Sequence, residues 1–126
     1  MQQAADDAYD RSANCLFSSF VAYEYTNTID VSNLHRNVLF RNEVVVDMPI
    51  THLEAPSPLA LWQKLDASCA SEESPCDVLV LPHNSNLSNG NLFNPRYPGG
   101  QTLEAERQHA ELRARMEPVV EVFQHK

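Results

Sequence analysis

The sequence predicts an α/β domain with a mostly parallel sheet of about four strands and two or three helices. Three observations carry that prediction. Apolar runs rich in β-branched or aromatic residues occupy 15–26, 34–40, 77–81 and 119–123, with the length and composition of strands. Helical stretches occupy 2–13, 57–69 and 102–117. Strands that alternate with helices imply crossover connections and parallel pairing, and a parallel sheet needs cover on both faces. Few strands and abrupt ends therefore read as part of a larger (β/α) barrel or layered domain. On this reading residues 1–126 are a single partial domain.

In chain order, Ala4, Ala5, Ala8 and Tyr9 form one side of the first helix and Asp6, Asp7 and Asp10 the other. No capping residue precedes it, since Met1 stands at that place. The strand at 15–26 passes from Phe20-Val21-Ala22 to Glu24, and 27–33 reads as a loop. The next strand has His35, Arg36 and Asn37 at its entrance and Val38-Leu39-Phe40 beyond. Val44-Val45-Val46 is a short extended piece, and 47–56 is irregular, with Pro49 and Pro56. Ser57-Pro58 is a strong helix start, with Ser at the cap and Pro at the first turn. Leu61, Trp62, Leu65 and Cys69 then give that helix one apolar face. The run at 77–81 breaks at Pro82 into a polar loop closed by Pro95, Pro98, Gly99 and Gly100. Thr102 caps a charged helix ended by Pro118, and Val119-Val120-Glu121-Val122-Phe123 is the last strand.

Composition narrows the partners. A net charge of −8 and a pI near 4.9 lack the clustered Lys and Arg of a nucleic-acid surface. No apolar run approaches the ~20 residues of a membrane span. The first residues have neither the basic nor the apolar region of a signal peptide. Cys69 and Cys76 bracket a short polar loop that a disulfide can close, and Cys15 is left over. A bridge predicts a periplasmic or secreted parent, and three reduced thiols predict a cytoplasmic one.

The chemistry-bearing residues lie at or beside the apolar runs: Glu24, His35, His83 and Glu121. Imidazole and carboxylate together suit Zn, Mn or Fe, and parallel strands bring their ends to one rim. No H-x-H, HExxH or C-x-x-C motif is present. Each residue also has a plain structural reading. Glu24 between two tyrosines can face solvent, His35-Arg36 can be a surface pair, and His83 can sit in an ordinary turn. Glu121, within an apolar run, needs a partner that a salt bridge would equally supply. Asn86-Leu87-Ser88 matches a glycosylation sequon, a pattern too short to weigh much.

Four segments taken together resemble a known family. Tyr23-Glu24-Tyr25-Thr26, Asn33-Leu34-His35-Arg36-Asn37-Val38, Pro82-His83-Asn84-Ser85-Asn86-Leu87-Ser88-Asn89-Gly90 and Glu117-Pro118-Val119-Val120-Glu121-Val122 follow the order of a large bacterial family, domain of unknown function 3604. That family is itself similar to the PHP (polymerase and histidinol phosphatase) superfamily of distorted α/β barrels with two or three metal ions. The resemblance implies a phosphoesterase-like, metal-dependent hydrolase with two or more divalent ions in the intact parent and a small anionic substrate. It implies Glu24, His35, His83 and, on the following strand, Glu121 as metal ligands. Arg36, Asn84 and Asn86 would hold the anion. The family's opening H-x-D-x-H or H-x-H strand and later D-x-H segment have no counterpart here. The chain therefore reads as an internal fragment, expected to be inactive alone. Two other readings compete: a non-catalytic module that binds a polar ligand through the Asn/Ser loop, and a truncated relic.

Overall fold

A computed structural model describes residues 2–70, 75–96 and 102–125. Among them are three helices, α1 (Gln2–Ala8), α2 (Pro58–Cys69) and α3 (Leu103–Met116), and three strands, β1 (Val21–Ile29), β2 (Ser32–Phe40) and β3 (Val78–His83). The strands form one open sheet in the order β1-β2-β3, and both pairings are antiparallel. This overturns the expected parallel α/β barrel. The reason lies at 30–31. Ile29 pairs with Ser32, so Asp30 and Val31 make a two-residue hairpin turn, both with positive φ (44° and 60°). A two-residue connection permits only antiparallel neighbours, because parallel strands need a crossover of a dozen or more residues.

That turn was hidden because Asp-Val lacks the Asn-Gly or Asp-Gly signature of its type. A β-branched residue in left-handed backbone costs about 1–2 kcal/mol, and Val31 is 89% exposed, with little burial to offset it. Val31→Gly is expected to stabilise the protein by about 1 kcal/mol. The check is a higher urea midpoint at unchanged slope.

The helix caps match expectation: Ser57 Oγ accepts from the Ala60 N–H, and Thr102 Oγ1 from the Ala105 N–H. The first helix ends earlier than its alanine pattern predicts. The Asp10 carboxylate accepts from the Ser12 and Leu16 N–H groups (2.9 and 2.8 Å), folding the chain into a turn. The Ser12 side chain, then the Leu16 N–H and the Ser12 N–H, hold that carboxyl below its ordinary range. Residues 15–20 consequently stay outside β1.

Residues 119–123 form no strand either, touching β3 through one backbone bond, Glu121 N–H to Pro82 O at 3.1 Å. That bond shows Pro82 turned away from β2. Its missing N–H therefore costs the ladder nothing, and β3 runs on through Pro82 to His83. Residues 71–74 and the expected loop closure at Pro98, Gly99 and Gly100 lie outside the described residues.

The sheet has two unlike faces. Tyr25, Val38, Phe40 and Val80 point to the core, where Leu59, Leu61, Trp62 and Leu65 of α2 and Leu112 and Met116 of α3 cover them. Leu61, Trp62 and Leu65 are wholly buried, each contributing on the order of 2 kcal/mol. Cys69 and Cys76 form a disulfide that ties the end of α2 to the approach to β3, worth about 2–3 kcal/mol for so short a loop. Cys15 is free and exposed. On the other face, Glu24, Thr26, His35, Asn37, Leu39, Leu79, Leu81 and His83 are all partly or fully exposed.

Tyr25 gives a pH prediction. Its phenol donates to Ala55 O (2.6 Å) at 1% exposure, and burial raises its pKa, with Arg36 and Asn27 opposing. The folded state thus holds the proton more tightly than the unfolded one. Stability is full below the ordinary tyrosine value near 10 and falls as pH rises through the higher folded value. Tyr25→Phe is expected to lessen this alkaline loss, measured by urea unfolding on both sides of that range.

Candidate functional site

Strand alternation sorts the expected site residues. Successive side chains point to opposite faces, so adjacent His35 and Arg36 separate. Antiparallel register then sets Thr26 opposite His35 on one side and His83 opposite it on the other. A row Thr26-His35-His83 crosses the exposed face, with Glu24 two residues before Thr26 on the same side. The two imidazoles stack with centroids 5.6 Å apart.

Glu24, Thr26 and His35 form a closed triangle. His35 Nδ1 lies 2.6 Å from Glu24 Oε1 and 2.9 Å from Thr26 Oγ1, and the Thr26 hydroxyl donates to the same Glu24 oxygen at 2.9 Å. Burial raises the Glu24 carboxyl, but the Thr26 bond and then the His35 and His83 rings outweigh it and hold it below the ordinary glutamate range. His83 Nε2 is buried and has no hydrogen-bond partner among the described residues. A buried polar atom without a partner is uncommon and costly.

Glu121 sits beside this group through the backbone. Its Oε2 accepts from the Asn84 N–H at 2.8 Å, supplying the partner that a carboxylate in an apolar run requires. Asn84, directly after His83, takes left-handed backbone (φ 62°) and is 5% exposed. Asn86 is exposed on a single 3-10 turn, Ser85–Leu87. The Asn89 and Asn91 amides both donate to the buried Ser32 hydroxyl at 3.1 Å, pinning the loop to the start of β2.

Arg36 does not reach this face. Its guanidinium is 1% exposed among the helices, with Nε on Glu117 Oε1 (2.6 Å) and Nη2 on Leu92 O (3.0 Å). The Trp62 indole N–H donates to the same Glu117 oxygen at 3.0 Å, and Arg113 lies 3.4 Å from the other. Arg36 thus forms a buried ion pair between β2 and the end of α3, apart from the face that carries His35. Thr26 and Glu117 were not singled out in the sequence. The Glu-x-Thr spacing within a strand was the available signal for Thr26; Glu117, 81 residues from Arg36, offered none.

The donor types are those that suit a borderline divalent ion, and His83 Nε2 is a buried nitrogen with no hydrogen-bond partner among the described residues. No set of three or more His, Cys, Asp or Glu converges as a metal-binding group among the described residues. No helix there is long and apolar enough to cross a membrane.

These features define an α+β domain with an antiparallel sheet, one face packed by helices and the other bearing two stacked histidines, one of them held by a carboxylate. The chain belongs to the family described as protein of unknown function (DUF3604), whose model matches residues 1–126. No curated protein and no solved structure matches it.

Proposed function

We propose that the exposed sheet face is the metal-binding wall of a divalent-metal-dependent hydrolase acting on a small anionic ester, a phosphate ester by preference. One observation carries the reading: His35 and His83 stack side by side, the first fixed by Glu24 and the second with a buried, unpartnered Nε2. The similarity of the family to the PHP superfamily supports the same chemistry.

His35 and His83 would offer their imidazoles to the ion, and Glu24, whose Oε1 serves His35 and Thr26, would orient His35 from the opposite side of its ring. Zn, Mn or Fe bound there supplies Lewis acidity and positive charge toward an anionic substrate. The chain's own residues orient the donors. Glu24 and Thr26 hold the His35 ring, and Glu121 fixes the backbone just after His83. With Arg36 committed to the core, charge for the anion falls to the ion. The loop amides of Asn89 and Asn91 are occupied by Ser32, which weighs against the loop as a polar-ligand module. The disulfide favours an oxidising compartment for the protein.

The test is the metal content of this chain, and metal content together with hydrolysis of p-nitrophenyl phosphate by a longer member of the family. Activity that disappears on chelation and returns with zinc or manganese is expected. Full activity in metal-free protein would overturn the reading.

A further inference from the structure

We propose that Thr26 is a positioning residue that fixes the His35 proton on Nδ1 and so presents Nε2 as the atom that binds. The consequence for metal binding rests on the function proposed above; the proton assignment does not.

Counting protons in the triangle leads to this assignment. Three polar atoms meet within hydrogen-bond distance: Glu24 Oε1, Thr26 Oγ1 and His35 Nδ1. Thr26 has one proton and Glu24, ionised, has none. If Thr26 gave its proton to Nδ1, the lone pairs of that nitrogen and of Glu24 Oε1 could share no proton, yet these atoms lie 2.6 Å apart. With the proton on Nδ1, every contact has a donor. His35 donates to Glu24 and shares the same hydrogen with Thr26 Oγ1, and Thr26 donates to Glu24.

Thr26 suits this task better than Glu24 alone. The Glu24 side chain is 48% exposed and long, free to leave in other rotamers. Thr26 is β-branched, stiff at χ1, and stands directly across from His35 in the ladder. Its hydroxyl holds the carboxylate against the ring. The ring in turn stacks on His83, so its orientation governs both imidazoles. A partner on the far nitrogen of a ligating histidine changes metal affinity by about 10–100-fold.

Long-range proton–nitrogen correlation spectra of the metal-free full chain test this. The wild type is expected to show His35 protonated at Nδ1, Thr26→Val to lose that preference, and Thr26→Ser to keep it. Zinc affinity should fall about tenfold in Thr26→Val and hold in Thr26→Ser. A wild-type proton on Nε2 alone overturns the proposal, whether or not Thr26→Val folds. So does an unchanged tautomer in a folded Thr26→Val. A fixed Nδ1 proton that responds to Thr26→Val, in a chain that binds no zinc, would uphold the role of Thr26 and remove the metal-site reading.

Discussion

Arg36→Ala is expected to cost about 3–5 kcal/mol, because it strands the Glu117 carboxylate in the interior. Glu117 is 3% exposed, and Arg36 is its close partner at 2.6 Å. Arg113, at 3.4 Å from the second oxygen, would remain as a more distant cation. Such a loss is a large share of the ~5–15 kcal/mol by which domains are stable. Urea unfolding followed by Trp62 fluorescence measures it, since the indole bonds to Glu117. Replacing both partners together, Arg36→Met with Glu117→Leu, should recover much of the loss, because apolar groups of similar volume replace a buried pair at small cost. An Arg36→Ala protein within about 1 kcal/mol of wild type would show that the pair is not buried as described.

His83→Ala is expected to behave in the opposite way. It removes a buried Nε2 that makes no hydrogen bond among the described residues, relieving a desolvation cost. It also loses the ring stacked on His35, so the net stability change should stay within about 1 kcal/mol. Divalent-ion affinity should nevertheless fall more than about 100-fold, beyond the loss typical of a supporting partner. A residue that can be removed without harming the fold while ligand binding collapses belongs to function.

Both contrasts bear on what the residues alone revealed. Caps at Ser57 and Thr102, and the apolar face of α2, follow from local rules, and the structure carries them as read. Strand direction did not follow, because it turned on Asp30-Val31, whose left-handed backbone no local preference announces. Glu24, His35 and His83 are expected to meet on a parallel rim, and antiparallel register instead sets His35 opposite His83, with Glu24 on the same face one row along. Arg36 was legible in principle, since a strand that sends His35 to one face must send its neighbour to the other. Its pairing with Glu117 depends on where α3 ends relative to β2, a tertiary fact with no sequence signature. Glu121 required a partner by its apolar surroundings, and that partner is a backbone N–H beside His83.

The most direct measurement is isothermal titration of zinc chloride into the chelator-stripped full chain, alongside His35→Ala and His83→Ala. One saturable binding event in the wild type, lost in both variants while their circular dichroism matches wild type, is the predicted result. Absent binding, or binding that survives loss of both imidazoles, would contradict the account.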